Sequence, residues 1–402
     1  MRPLDVTIGI VTALPIESAA ARLVIDDLAD CAAIPGDPNV YKTGALPSLD
    51  KGRPHRVVLA LQTEDGTRNA AAMCSSLARS FPQLKVIVMC GIAGGIPAPH
   101  DPRKHVRLGD VVVATGGIVD YNHVRLIDGV RHLRRATEGM SRRLLAADHE
   151  LEIREHLDNP EWVEAAQALR AVPARFARPA ESTDVLTRAG VRIPHPDRQL
   201  SGHRPGIPRV HRGPIGSADV LVRDEAARDL LAAEHGILAV EMEGSGIAVG
   251  AGLHDVPWFV VRGMVDYCAN ATKNDVWHAY SAWVAAAYTR ALLGQCHSFA
   301  AGATRTAPRG VPGGEHLRAL IDALSSVRVL RDDAQRRAVL AVLPHEIVVP
   351  DNAHGRLHII SLVHACADHD GGREALLDAL ELILGPGSRD FQRVREAFDA
   401  HW

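Results

Sequence analysis

The chain has 402 residues, 47% apolar and 23% charged, enough for one large core or two smaller ones and too apolar for a disordered chain. Forty-five Lys and Arg against 48 Asp and Glu leave a formal charge of -3, so no broad positive field draws it to nucleic acid or an anionic membrane. Six scattered cysteines without a C-x-x-C pair give no sign of a zinc site or a disulfide framework, and 4% aromatics disfavour a base-stacking single-strand binder. The N-terminus shows no basic-then-apolar leader and no run reaches the roughly 18 apolar residues of a membrane span, so the expected location is the cytoplasm.

Short β-branched runs alternate with Ala-rich helical stretches up to about residue 297, the pattern of crossover units building a mostly parallel sheet. Residues 6–11, 57–61, 86–90, 111–114, 239–242 and 258–261 read as strands. Their continuous apolar character, as in Val86-Ile87-Val88-Met89, implies cover on both faces. Helices are expected at 69–80, at 224–235 closed by Gly236, at 244–253 and at 276–293. Residues 136–205 read as a helix followed by a Pro, His and Arg-rich loop, an insertion beside the sheet.

The composition shifts at Ser298. Residues 1–298 are expected to form one domain, 299–312 a flexible linker, and 313–402 a small all-α bundle. Leu317, Leu320, Ile321 and Leu324 stand at helical spacing on one face, as do Leu376, Leu380, Ile383 and Leu384, and Phe391, Val394 and Phe398 close the series.

Four unusual segments follow expected strands, at 13–17, 91–95, 241–243 and 262–266, where an open α/β sheet forms its ligand crevice. Gly91-Ile-Ala-Gly-Gly95 reads either as a tight strand-to-helix turn or as backbone approaching a ligand; it does not spell a dinucleotide fingerprint, and no cofactor is expected. Glu241 and Glu243 end an apolar strand, where a carboxylate can accept hydrogen bonds from vicinal sugar hydroxyls or favour a helix N-terminus. Asp266 follows an apolar run that would raise its pKa and let it hold a proton, or it caps a helix.

Ile8-Gly-Ile-Val-Thr-Ala-Leu-Pro-Ile-Glu17, Gly91 to Gly95, Leu108-Gly-Asp-Val-Val112, Ser217-Ala-Asp219, Val240-Glu-Met-Glu243 and Val261-Arg-Gly-Met-Val-Asp266 occur in an order that resembles the nucleoside phosphorylase and nucleosidase superfamily. The methylthioadenosine/S-adenosylhomocysteine nucleosidase branch is the most similar, over about residues 6 to 293. The resemblance implies a nucleoside-phosphorylase-like mixed sheet flanked by helices and an N-glycosidase without metal. It assigns Asp266 as general acid at the purine N7 and Glu17 as activator of the attacking water. It assigns Glu243 to the ribose hydroxyls, with Met242 packing on the sugar, and places Ala93, Gly94 and Arg262 at the substrate. Leu221 and Val222 wall the base, where the family often has an aromatic residue. Phosphorylase relatives grip phosphate with an Arg and a Ser at the positions held here by Met89 and Ile92, which favours water over phosphate; the nucleosidases' own serine is also absent at Ile92.

Arg68, His123, Arg125, Arg131, His203, Arg204, Arg209, His211 and Arg212 lie in segments expected to rim the crevice; they are either ordinary surface cations or grips for a 5′-phosphate. In the tail, Leu317-Arg-Ala-Leu-Ile-Asp-Ala-Leu324, Arg337-Ala-Val-Leu-Ala-Val-Leu-Pro344 and Leu376-Leu-Asp-Ala-Leu380 resemble an effector-associated domain, a helical adaptor of bacterial conflict and signalling systems. The expected partners are a purine nucleoside or nucleotide, further copies of the chain in a homodimer or larger homo-oligomer, and a protein with a matching adaptor domain bound through 313–402.

Overall fold

β-Branched runs supply the strands of the computed structural model, in chain order β1 (Ile8–Thr12), β2 (Asp26–Asp30), β3 (Tyr41–Leu46), β4 (His55–Leu61), β5 (Val86–Gly95), β6 (Val111–Val113) and β7 (Ile118–Asp120). β8 (Val124–Ile127), β9 (Val130–Leu133), β10 (Leu186–Arg188) and β11 (Val191–Ile193) form two separate hairpins. β12 (Val210–Arg212), β13 (Ile215–Ser217), β14 (Ala239–Glu241) and β15 (Trp258–Asp266) complete the main sheet. The structure describes residues 5–127, 130–133, 139–157, 162–164, 172–269, 275–299, 314–344, 347, 349, 355–367, 369 and 371–402.

The sheet runs β12-β6-β15-β5-β1-β4-β3-β2, with β7, β13 and β14 joined through β5. Its centre is parallel: β1 pairs with β4 and β5, and β5 with β15. β6 and β14 join antiparallel to β15 and β5, so the sheet is mixed with a mostly parallel middle, as expected. Alternate residues of each central strand enter different cores, the consequence of the two-residue side-chain period. Ile8, Val86, Val88, Phe259 and Val261 pack with α1 (Pro15–Val24) and the helix His278–Gly294. Val11, Ile87, Met89, Val112 and Val260 pack with α2 (Thr67–Ser80) and the helix Gly244–Gly252. That last helix meets α2 closely: a Cβ on Gly246 would stand 1.9 Å from the carbonyl oxygen of Thr67, so only glycine lets the two backbones touch.

The structure changes one reading outright. Gly91 to Gly95 is not a turn: it continues β5, paired with β15 (Arg262 opposite Gly91) and with β14 (Val240 opposite Gly94). Gly lacks a side chain on either face, which lets two neighbouring strands and the site's side chains crowd this segment. The helix expected at 224–235 forms at Glu225–His235, with Asp224 accepting the N–H of Ala227 at its start and Gly236 left-handed at its end. α1, β2, β3, β7, β12 and β13 carried no sequence signal strong enough to be expected.

The chain divides into two compact units, Met1–Ala301 and Gly302–Trp402. The expected linker, 299–312, lies outside the described residues apart from Phe299. The second unit is helical throughout its described elements, with Leu320, Leu324, Leu362, Leu376, Leu380, Phe391, Val394 and Phe398 in its core. Among the described residues no helix is long and apolar enough to cross a membrane.

Candidate active site

Ala13-Leu-Pro-Ile-Glu17 starts α1, with Leu14 as N-cap, Pro15 at the first helical position and Glu17 at the third. From there the Glu17 carboxylate reaches back to accept the N–H groups of Ala13 at 2.7 Å and Leu14 at 2.9 Å. Its other oxygen accepts the N–H of Ile92 on β5 at 2.7 Å. A capping interaction thus becomes a tie between helix and sheet. Burial pushes the Glu17 pKa above the ordinary carboxylate range, against the pull of Arg262 and the three N–H donors.

Arg262, on β15, is completely buried beneath this carboxylate. Its Nη2 donates to Glu243 Oε2 at 2.9 Å and to Glu241, and its Nη1 stands 3.8 Å from Glu17 Oε1. Three carboxylates share one guanidinium, so acidic groups outnumber the cation that faces them. Burial works to discharge Arg262, but the surrounding carboxylates overcome it and raise its pKa. Burial also raises Glu243 to about 7, with repulsion from Glu241 and Glu17 adding to the shift and Arg262 opposing it. Gly91 makes room for the cluster: a Cβ there would stand 2.3 Å from Arg262 Nη1 and 2.4 Å from Glu17 Oε1.

Glu243 also accepts the N–H of Gly66 at 3.1 Å, and Asp219 accepts both the N–H and the hydroxyl of Thr67, at 2.7 and 2.8 Å. The start of α2 is therefore pinned to the site by two side chains from distant motifs. Above the cluster opens a cavity of about 250 Å³ at the strand ends. Glu17, Ala93, Gly94, Leu221, Val222, Met242, Glu243 and Asp266 all line it, which brings eight of the nine residues singled out in the sequence to one place. The ninth, Arg262, does not line it; it holds the carboxylates from behind. Asp266 is half-buried, not enclosed, and accepts the N–H of Cys268 at 2.8 Å.

The lining also includes Glu241, weighed beside Glu243 in the sequence, and Asp65, Ile92, Arg223, Cys268 and His278, which the sequence did not assign to the substrate. Arg223 and His278 follow no motif, and only the fold brings them to the cavity. None of the described side chains among the nine rim candidates lines the cavity. His203 and His211 bond to Asp110, Arg212 is held by Asp148 and Glu155, and Arg209 donates to the carbonyl of Arg103. Arg68, His123, Arg125 and Arg204 are exposed, and the side chain of Arg131 lies outside the described residues. Of the two readings of this set, convergence on a 5′ group is the one that the cavity lining does not support.

A mixed sheet with a carboxylate-lined cavity at its strand ends belongs to a known class: residues 7–294 match the phosphorylase superfamily, and the chain belongs to it. Residues 321–399 match Effector-associated domain 2. The chain is 30% identical over 292 residues to a 5′-methylthioadenosine/S-adenosylhomocysteine nucleosidase of Mycobacterium bovis, covering 72% of this chain and 96% of that protein. It is 28% identical over 366 residues to a nucleotide-binding leucine-rich repeat (NLR)-like protein of Hyaloscypha variabilis, covering 84% of this chain and only 35% of that relative's length. Among solved structures it is similar to a Helicobacter pylori 5′-methylthioadenosine/S-adenosyl homocysteine nucleosidase, with a TM-score of 0.48 and 19% identity over 72% of this chain and 97% of that one.

Proposed function

We propose that the chain hydrolyses the N-glycosidic bond of a purine nucleoside or nucleotide, as the output arm of a defence or signalling assembly. One observation carries the chemistry: Glu17, Glu243 and Asp266, from three separate elements, line one cavity above a cluster with three carboxylates to one guanidinium. In the reaction the bond from C1′ to the purine breaks with its electron pair passing to the base, which Asp266 protonates at N7. A water molecule held by Glu17 attacks C1′ and gives its proton to that carboxylate. An ionised carboxylate has about four lone-pair sites, and three N–H groups occupy three of them, leaving one for the water. Glu243 holds the ribose hydroxyls against Met242.

The same charge balance disfavours a phosphorylase. A phosphate dianion would face carboxylates, and Ile92 on the wall and Met89 in the core offer it nothing. Arg223 and His278 on the cavity wall favour a phosphorylated 5′ group. The effector-associated tail and the NLR-like relative support the role in an assembly, in which the tail recruits a partner bearing a matching domain.

The test is incubation with a panel of purine nucleosides, 5′-thioether nucleosides and nucleotides, with and without phosphate, resolved by chromatography. Free base and a sugar with a free anomeric hydroxyl, still carrying its 5′ substituent, are expected, released fastest from a 5′-phosphorylated purine. A sugar 1-phosphate product would overturn the hydrolase reading, and faster release from 5′-methylthioadenosine would overturn the nucleotide preference.

A further inference from the structure

Away from this cavity, Asp110, His203 and His211 bring three ligating atoms within 4.8 Å of one another, all on buried side chains. Asp110 precedes β6, His211 lies on β12 beside it, and His203 follows the short helix Arg198–Ser201. Nε2 of His203 stands 2.7 Å and Nε2 of His211 3.0 Å from the same atom, Oδ2 of Asp110. That oxygen also accepts the N–H of Arg107 at 2.8 Å, and Oδ1 accepts the N–H of Arg209 at 3.0 Å. The carboxylate is therefore fixed by backbone before either histidine approaches it.

Ser201 orients His203 from the far side of its ring. Ser201 Oγ has one proton and lies 2.9 Å from the carbonyl oxygen of Asp197, one helical turn back. It also lies 2.9 Å from Nδ1 of His203. Ser201 thus holds the ring of His203 from its far nitrogen while Nε2 faces the Asp110 carboxylate. An orienting partner on the far ring nitrogen is the usual companion of a metal-bound histidine.

We propose that Asp110, His203 and His211 bind a divalent transition-metal ion of zinc-like preference. Two imidazoles and one carboxylate suit a borderline ion better than Mg²⁺ or Ca²⁺, which take oxygen ligands. Ligand bonds of about 2.0–2.2 Å place tetrahedral donors roughly 3.3 Å apart, about half an ångström wider than each histidine nitrogen stands from Asp110 Oδ2, a small outward movement. His211 also lines a cleft of about 710 Å³, which supplies an entry path and a position for water as a further ligand. The ion's role is structural. None of its three ligands lines the catalytic cavity, but the main chain of Gly109 and Asp110 bonds to Met264 on β15, at 2.8 and 2.9 Å, so the ion ties the inserted segment to the strand that ends in Asp266.

The experiment strips the full chain with a chelator and titrates it with Co²⁺, followed by Zn²⁺ competition. One equivalent of cobalt with visible d–d absorption, displaced by zinc, and a zinc-dependent rise in melting temperature are expected. His203→Gln and His211→Gln should each weaken uptake about 100-fold or more. His132→Gln, exposed on the β8–β9 hairpin, should leave it unchanged. A cluster held together by hydrogen bonds alone takes up no cobalt, and that result overturns the proposal, as does equal uptake by both cluster variants. The titration of the unsubstituted chain decides even where a variant fails to fold.

Discussion

Arg262 donates through Nη2 to Oε2 of Glu243 at 2.9 Å, which ties the residue assigned to the ribose hydroxyls to a guanidinium with no exposure to solvent. Because the same guanidinium serves Glu17 and Glu241, removing it strands three buried carboxylates. Breaking one buried ion pair typically costs about 3–5 kcal/mol. Arg262→Met should therefore lower the melting temperature by about 10 °C or more and abolish base release. A variant that melts with the parent chain would show that the cluster is held by something else.

Glu243 supplies a pH test with a definite sign. Its folded-state pKa lies at about 7 against an ordinary 4.5. A carboxyl raised in this way adds stability that is complete below the unfolded value and is lost as pH rises through the folded value. The form suited to accept sugar hydroxyls is thus the form the fold tolerates least. Glu243→Gln should raise the melting temperature more at pH 8 than at pH 5, while removing most of the activity. In the parent chain the acid limb of kcat/KM should titrate near 7. A gain in stability equal at both pH values would contradict the charge cluster.

Asp266→Asn should lower base release about 10²- to 10⁴-fold, the usual contribution of a general acid. The fold should not notice, because an amide oxygen still accepts the N–H of Cys268 that Asp266 accepts at 2.8 Å. Unchanged turnover on the true substrate, with melting also unchanged, would remove Asp266 from the mechanism.

Gly91→Ala addresses the close approach of β5 to the cluster. The added methyl would meet Arg262 Nη1 at 2.3 Å and Glu17 Oε1 at 2.4 Å, both parts of a packed network with little room to move. Loss of activity together with about 1–3 kcal/mol of stability is expected from denaturant titration. Parent-like behaviour in both would mean that the cluster is looser than its hydrogen bonds imply.

Cutting the chain after Ser298 should leave residues 1–298 folded with basal glycosidase chemistry, since the cavity is lined entirely from that side of the cut. Residues 313–402 should form a helical unit around Leu320, Leu380 and Phe398. Circular dichroism of both pieces and an activity assay of the first provide the check, and an unfolded catalytic piece would show that the tail belongs to its core.

The sequence by itself determined the central strands and the placing of candidate site residues at strand ends. Continuous runs such as Val86 to Met89 leave little choice but a strand covered on both faces, and a carboxylate directly after such a run falls at the crevice. It also determined the amphipathic helices of the tail, through the spacing of Leu317 to Leu324 and Leu376 to Leu384. What it left undecided depended on partners far along the chain. Gly91 to Gly95 reads locally either as a turn or as backbone approaching a ligand, and it is a strand only because β14 and β15 pair with it. Arg262 reads as a substrate ligand and proves to be a buried counter-ion, because burial depends on what covers a residue and not on its neighbours in sequence. Asp110 and His203 lie 93 residues apart and share no short motif, so only the pairing of β6 with β12 and the path of the inserted segment bring them together.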